Sequence, residues 1–332
     1  MRFDTRTDQA EGLRRLLVRN HAQVVLLLAG KYGVGRTTTT INLASAMAES
    51  GKSVLVLDEN SEPGNIADQL GFHGRHDLLD IVQQNCHPRD ALQGKHGYSV
   101  LPTARAVKSL VKHNRQERRR LEGTLSEISG SVDVVLVDVA MPALMESADF
   151  RLGYQQTLAR PLLKGRGRGA AGVAGLSSGF ASGMTLLVVM DATVSGITES
   201  YAMIKRLALE SACLQFEIVV NRVADEKASR VVFDNVARVA WRKLFVRLEY
   251  AGFIPRDDRF KRAARQGCTV SEAFPAASPA KSYRHIAHGL LQLPVCPDYP
   301  GWGMNNAVPS QAGNILLPVH PYSKKVSHAV NL

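Results

Sequence analysis

The chain has 332 residues, a formal net charge of +11, 45% hydrophobic residues and 21% charged residues. This composition is ordinary for a soluble globular protein, and the length predicts one large domain with shorter appendages. No apolar run approaches the roughly 18 residues of a transmembrane helix, and the N-terminus lacks the apolar segment of a signal peptide. The four cysteines are scattered without a C-x-x-C pair. This spacing argues against a disulfide framework or a metal cluster and favours a reducing, cytoplasmic setting.

The first predicted element is a short helix over residues 8–17. Asp8 is a good N-cap, and Glu11 follows three residues later. Ala10, Leu13 and Leu17 fall on one side of this helix and give it an apolar face. Such a face packs either on the rest of this chain or on another protein.

A phosphate-binding loop follows the first predicted strand. The run 24–29 is short, apolar and β-branched, whereas residues 37–49 have helical periodicity. Between them the sequence reads Gly30-Lys31-Tyr32-Gly33-Val34-Gly35-Arg36-Thr37-Thr38. Strand, glycine-rich loop and helix therefore stand in the order that a P-loop requires.

The residue types of this loop predict how it binds phosphate. Gly33 and Gly35 let backbone N–H groups turn towards phosphate oxygens, and the Thr37 hydroxyl is placed to bind Mg²⁺. Arg36 stands where the usual P-loop pattern has Lys. Arg keeps the positive charge but is bulkier and planar, so nucleotide binding is expected to survive while rapid hydrolysis is not assured.

Apolar strand-like runs alternate with helical segments along the rest of the chain. This alternation predicts an α/β fold, with a mostly parallel sheet covered by helices on both faces. The predicted strands span residues 24–29, 53–58, 98–101, 132–138, 184–190, 216–221 and 250–254. Asp58 and Asp138 end two of them. Because ligands of open α/β sheets bind at the carboxyl ends of strands, both carboxylates are expected to flank the phosphate loop and to bind Mg²⁺.

The loop resembles the deviant Walker A motif of the MinD/ParA ATPases, in which a second Lys directly follows the first Gly. Lys31 stands at that position, whereas Tyr32 and Arg36 differ from the family pattern. In this family the extra Lys reaches the nucleotide of a partner subunit, so the resemblance implies an ATP-dependent homodimer in which Lys31 has a catalytic role. It further implies that ATP and its Mg²⁺ are bound by the residues Gly30, Lys31, Gly33, Val34, Gly35, Arg36, Thr37 and Thr38.

Two further segments are similar to hydrolytic segments of this family, each with a departure. Residues 58–66 resemble switch I, with Asn60 in place of the Asp that orients the attacking water. An amide can hold a water by hydrogen bonding but lacks the charge of a carboxylate. Residues 132–138 resemble the Walker B strand, although the continuation at 139–142 lacks the family's glycine. Because phosphoryl transfer depends on positioning and electrostatics, these departures weigh against fast turnover.

The N-terminal segment resembles one branch of the family in particular, the FlhG/FleN regulators of flagellar number and placement. Residues 8–14 match the D-Q-A-x-x-L-R motif with which these proteins engage the flagellar GTPase FlhF. The match implies that an FlhF-type GTPase is bound through the residues Asp8, Gln9, Ala10, Leu13 and Arg14.

Later segments resemble the same branch. Residues 193–205 and 219–223 are similar to two of its conserved segments, and Asn221 is implied to contact adenine. Pro255 and Asp257 fall at its base-binding loop. Residues 280–293 are similar to its closing helix.

Three functions remain open at this point: a slow ATPase switch, a nucleotide-binding pseudo-ATPase scaffold without turnover, and a ParA-type DNA segregation ATPase. Arg36 and Asn60 favour the scaffold, whereas the otherwise intact loop and Asp138 favour the switch. The net charge is the argument for the third function. A flagellar transcriptional regulator or a basal-body protein is a further candidate partner. Nucleic acid is not expected, because the basic patch 164–168 has no interleaved aromatic residues.

The sequence predicts three regions. Residues 1–20 carry the partner-binding helix, and residues 21–293 form the P-loop ATPase domain with a flexible, glycine-rich insertion at 152–183. Residues 294–332 are proline-rich without helical periodicity and are expected to be a disordered tail. No amphipathic helix is found there. The expected location is therefore the cytoplasm, and transient association with the inner membrane or the cell pole is left open.

Overall fold

One eight-stranded sheet organises the fold. The computed structural model describes residues 22–61, 63–95, 97–109, 115–140, 158, 184–211 and 213–293. Its strands are β1 Gln23–Leu28, β2 Val54–Asp58, β3 Gln93–Lys95, β4 Tyr98–Pro102, β5 Val134–Asp138, β6 Met184–Asp191, β7 Gln215–Val223 and β8 Arg247–Pro255. They lie in the order β3-β4-β2-β5-β1-β6-β7-β8. Neighbouring strands run parallel except β3, which pairs antiparallel with β4 at one edge.

This arrangement confirms the predicted α/β class and each of the seven predicted strands. β7 and β8 begin earlier than predicted, at Gln215 and Arg247. The edge strand β3 was not predicted, because its residues Gln-Gly-Lys carry no apolar pattern. β1, β2 and β5 are buried along their whole length, as expected for parallel strands covered by helices on both faces.

Helices cover both faces of the sheet. The described helices are α1 Arg36–Glu49, α2 Ile66–Leu70, α3 Leu78–Val82, α4 Pro88–Ala91, α5 Ala104–Ser109, α6 Arg115–Ser129, α7 Val194–Ser211, α8 Glu226–Leu244, α9 Arg259–Arg265, α10 Val270–Ala273 and α11 Ser278–Leu291. On one face α3, α5, α6, α7 and α8 contribute to one apolar core cluster. On the other face α1, α2, α10 and α11 contribute to a second cluster. The predicted closing helix at 280–293 corresponds to α11.

Several predicted segments fall outside the described residues. They are the partner-binding helix of residues 8–17, most of the insertion at 152–183 and the tail at 294–332. Their assignments, including the roles of Asp8, Gln9, Ala10, Leu13 and Arg14, stay predictions. Among the helices that the structure describes, none has both the length and the apolar character needed to span a bilayer.

Candidate nucleotide-binding site

The phosphate loop connects the buried strand β1 to the first turn of α1. Gly33 and Gly35 have φ angles of 75° and 93°, in the left-handed region that favours glycine. Gly30 is constrained differently, because a Cβ there would lie 2.2 Å from the backbone nitrogen of Ser200 in α7. The first turn of α1 carries no acidic residue. The loop and helix N-terminus therefore offer backbone N–H groups and partial positive charge to an anion.

A buried carboxylate lies beside the loop. Asp138 ends β5, which neighbours β1, and its side chain is fully buried. Three side chains of α1 donate to it: Arg36 Nε lies 2.5 Å from Oδ1, Thr37 Oγ1 lies 2.7 Å from Oδ2, and Thr40 Oγ1 lies 3.3 Å from Oδ1. Arg36 is itself only 7% exposed. The guanidinium that replaces the usual loop Lys is therefore held by a charge-assisted bond to the carboxylate.

A second carboxylate, Asp58 at the end of β2, lies in register with Asp138 on the adjacent strand. Its oxygens accept the backbone N–H groups of Asn60 and Ile66, each at 3.0 Å. Burial, reinforced by the charge of Asp138, raises the pKa of Asp58 well above its ordinary value. Two neighbouring buried carboxylates favour a cation between or beside them, because a cation offsets both burial and mutual repulsion.

Glu59 is a buried residue of this site for which the sequence predicts no role. It is 2% exposed, and its carboxylate accepts the backbone N–H groups of Leu158 at 2.7 Å and Ala140 at 3.1 Å. Burial raises the pKa of Glu59 to about 7. Its only sequence signal was an acidic residue directly after Asp58. The side chain ties the ends of β2 and β5 to residue 158, so its contacts here are with backbone groups.

Lys31 extends from the loop towards α7. Its ammonium donates to the Ser195 hydroxyl at 2.7 Å, near the start of that helix. Thr38, also assigned to the nucleotide, donates to the Gln69 side chain in α2 at 3.1 Å. Neither Ser195 nor Gln69 was singled out from the sequence, since both lie far from the loop along the chain.

Asn221 meets the loop from β7. Its amide donates to the Val34 carbonyl at 2.7 Å, and its side-chain oxygen accepts the backbone N–H of Arg222 at 2.9 Å. Arg222 has a positive φ of 59°, and its guanidinium donates to the carboxylate of Asp191 at 3.0 Å. Asp191 ends β6, on the side of β1 opposite to Asp138. The sequence predicts no role for Arg222 or Asp191.

The two residues of the predicted base-binding loop lie at the same edge of the sheet as the phosphate loop. Pro255 is the last residue of β8, which is separated from β1 by β6 and β7. The Asp257 carboxylate accepts the backbone N–H of Arg259 at 2.8 Å and pairs with its guanidinium at 3.0 Å. The roles assigned to individual residues towards the nucleotide stay predictions.

The residues at this edge fit a nucleotide with a divalent cation. A Cβ added at Gly33 would meet no atom within 4 Å, so that side of the loop is open. Thr37, Asp138 and Asp58 bring hydroxyl and carboxylate oxygens together, and these are the ligands that Mg²⁺ prefers. Arg36 occupies one side of the Asp138 carboxylate, so a cation bound there would lie beside the positively charged guanidinium.

Comparisons with known proteins agree with this geometry. The CobQ/CobB/MinD/ParA nucleotide binding domain family (CbiA) matches residues 25–270, and the chain belongs to that family. The chain is 29% identical over 274 residues to the antiactivator FleN of Pseudomonas aeruginosa, a match that spans 82% of this chain and 88% of FleN. It is 26% identical over 278 residues to the septum site-determining protein MinD of Helicobacter pylori, spanning 81% and 91%. These findings confirm the predicted resemblance to the MinD/ParA family and to FlhG/FleN.

Solved structures support the fold. The MinD cell division protein of Aquifex aeolicus superposes with a TM-score of 0.55 at 21% identity, over 81% of this chain and 97% of that one. The septum site-determining protein MinD of Pyrococcus horikoshii, solved in complex with Mg-ADP, also gives 0.55, at 18% identity over 82% and 97%.

Proposed function

We propose that this protein is an ATP-binding regulator of flagellar assembly that acts in the cytoplasm through an ATP-dependent dimer and an FlhF-type GTPase. The observation that carries the nucleotide part is the deviant phosphate loop at the carboxyl edge of the sheet, with Lys31 extending from it. The flagellar part is supported by the similarity to the antiactivator FleN and by the D-Q-A-x-x-L-R match at residues 8–14.

In this proposal the loop N–H groups bind the phosphates, and Thr37, Asp138 and Asp58 hold Mg²⁺. The ion supplies charge neutralisation for the phosphate oxygens. Asn221 donates to the Val34 carbonyl and so fixes the loop, and in this proposal it also contacts adenine.

Arg36 and Asn60 set the rate of turnover in this proposal. The guanidinium of Arg36 is bonded to Asp138 at 2.5 Å, so it must leave or share that bond in order to stabilise charge on a transferred phosphoryl group. Asn60 offers no carboxylate to orient the attacking water. We therefore infer a protein that remains in its ATP-bound state for a long time. The buried Arg36–Asp138 pair also favours a second candidate, a pseudo-ATPase scaffold that binds ATP without turning it over.

Turnover distinguishes the slow switch from the scaffold. ATP binding and phosphate release would be measured separately on the wild type and on the Arg36→Lys/Asn60→Asp double variant. We expect the double variant to hydrolyse ATP faster with little change in affinity, because both positions act on the reacting phosphate. Wild-type phosphate release at the level of a blank would select the scaffold. Unchanged turnover in the double variant, with binding intact, would contradict the role given to these residues.

Sedimentation with ATP tests the dimer. Lys31→Ala should remove ATP-dependent dimerisation while leaving the thermal stability of the monomer near that of the wild type. Lys52→Ala is the matched control, since Lys52 is an exposed lysine between α1 and β2, away from the nucleotide edge. A full dimer in Lys31→Ala would refute the role proposed for Lys31.

The FlhF connection is tested with a peptide of residues 1–20. We expect it to stimulate an FlhF-type GTPase, whereas its Leu13→Glu form should not, because the charge would fall on the predicted apolar face. If both peptides stimulate equally, or neither does, this segment is not the stimulating element.

A further inference from the structure

A basic and aromatic surface lies at the end of the molecule opposite to the nucleotide edge. It is formed by the last two turns of α8, the residue that caps this helix and the residue before β7. We define it as the basic aromatic surface: Leu214, Arg238, Trp241, Arg242, Lys243 and Phe245. The helix ends at Leu244, and the chain enters β8 at Arg247, so this surface lies at the amino ends of the strands. The Leu214 carbonyl accepts the Arg247 N–H at 2.7 Å, which places Leu214 beside the start of β8.

The aromatic residues of this surface point away from the core. Trp241 is 59% exposed and Phe245 is 73% exposed, and their rings contact each other edge to face with centroids 6.3 Å apart. Arg238, Trp241 and Arg242 are spaced i, i+3 and i+4, which puts them on one side of α8. Phe245, the residue that caps the helix, joins them through its ring contact with Trp241. The buried residues of α8 lie on the opposite side, and they are Ser229, Phe233, Val236 and Ala240.

The surface is positively charged. Arg238, Arg242 and Lys243 are exposed, and within the described part of the chain no carboxylate pairs with any of the three. Asp234 lies one turn before Arg238 on the helix, and Glu249 pairs with Arg247. Exposed aromatic side chains flanked by unpaired cations are the combination found where proteins lie on an anionic bilayer.

We propose that the basic aromatic surface docks on an anionic phospholipid membrane, with Trp241 and Phe245 inserted at the headgroup level. Charge complementarity selects this occupant. A second copy on a two-fold axis would bring like charges together. The chain's own residues 1–21 carry five arginines against three acidic residues, so they are also basic. The bases of a nucleic acid could stack on the two rings, but the aliphatic Leu214 offers them no stacking surface, whereas in a membrane it would contact apolar lipid.

Vesicle sedimentation tests the proposal on the full chain without nucleotide, so its outcome is independent of the proposed ATP-binding function. We expect binding to vesicles of phosphatidylcholine and phosphatidylglycerol in equal parts, weaker binding as salt is raised, and none to phosphatidylcholine alone. The Trp241→Gln/Phe245→Asn variant should bind roughly tenfold or more weakly. Asn is chosen at position 245 because the backbone φ there is 56°, in the left-handed region that Asn adopts more readily than most residues. Thermal unfolding of each variant checks that the fold is kept.

Val231→Gln is the matched control. Val231 is an exposed apolar residue of the same helix, and it lies about 15 Å before Trp241 at 1.5 Å per residue. Its variant should bind vesicles like the wild type. A second readout uses the Trp302→Phe variant, in which Trp241 is the only tryptophan of the sequence. The fluorescence emission of Trp241 should then move to shorter wavelength with anionic vesicles and not with neutral ones.

Four results would overturn the proposal. They are no binding to anionic vesicles, equal binding by the Trp241→Gln/Phe245→Asn variant, preferential binding of a single-stranded oligonucleotide over vesicles, and a change of oligomeric state in the double variant. The last result would assign the surface to a second copy of the chain.

Discussion

Replacing Arg36 with Met isolates the buried ion pair that joins the phosphate loop to β5. Met retains an unbranched apolar side chain of similar reach but removes the guanidinium. Asp138, which is fully buried, would lose the donor at 2.5 Å and the more distant Arg36 nitrogen at 3.4 Å. The hydroxyl groups of Thr37 and Thr40 would remain as its hydrogen-bond donors. The variant therefore leaves a buried carboxylate without a counter-charge from its closest partner.

The expected effect is a large loss of stability. Removing one partner of a buried ion pair costs about 3–5 kcal/mol in the free energy of unfolding. Because two hydroxyl donors remain, each worth about 1 kcal/mol net, we expect the lower end, about 3 kcal/mol. At about 2–4 °C per kcal/mol, the Tm should fall by about 6–12 °C.

Thermal and urea unfolding, followed by circular dichroism without nucleotide or Mg²⁺, measures this loss. Arg259→Met is the matched control, because Arg259 is 46% exposed and pairs with Asp257 at 3.0 Å. That exposed pair should contribute less than about 1 kcal/mol. Asp138→Asn in the Arg36→Met background should recover part of the loss, since the buried charge left without its partner at position 138 is then removed. The reasoning fails if Arg36→Met unfolds within about 1 kcal/mol of the wild type, or no more readily than Arg259→Met.

Three further substitutions probe the same edge of the sheet. Burial raises the pKa of Glu59 from 4.5 to about 7, so its contribution to stability is complete below pH 4.5 and is lost as the pH rises through about 7. Glu59→Gln should therefore flatten the fall in unfolding free energy across this window in urea titrations, and an unchanged slope would count against the burial effect. Gly30→Ala should abolish soluble expression, because its Cβ would lie 2.2 Å from the α7 backbone, whereas Gly51→Ala, which has open space around it and a φ of 81°, should cost only about 1 kcal/mol. Asn221→Asp should weaken nucleotide binding in equilibrium titrations, because a carboxylate would face the Val34 carbonyl now 2.7 Å from the amide, and wild-type affinity would rule out this role for Asn221.

The strands and the phosphate loop were predictable because their signals are local. Each buried parallel strand is a short apolar run, and the glycine spacing of the loop is contained within a few residues. Asp58 and Asp138 lie at adjacent strand ends, where ligands of open α/β sheets bind, and Asp138 accepts a bond from Thr37 of the loop. The edge strand β3 was missed because three polar residues carry no such signal.

The partners of the site residues were not predictable from local pattern. Arg36 and Asp138 are 102 residues apart, and Lys31 and Ser195 are 164 residues apart. Each pairing depends on which strands neighbour β1 and on where α7 crosses the loop. Glu59 was missed for the same reason, since its partners are backbone groups whose positions only the folded chain defines.

Arg36 belongs to the core and to the nucleotide site at the same time. In the core, its guanidinium neutralises a carboxylate that lies in register with another buried acid, Asp58, so the fold holds a counter-charge before any cation binds. In the site, the same bond holds the guanidinium towards β5 and away from the position expected for the phosphates. A compact Lys ammonium lacks the planar fork that lets Arg bond along a carboxylate, so a Lys here would be freer to follow a phosphate. Under the proposed function, the departure from the family pattern at this position would trade charge available for catalysis against stability of the nucleotide-free fold, which is the balance expected of a slow switch.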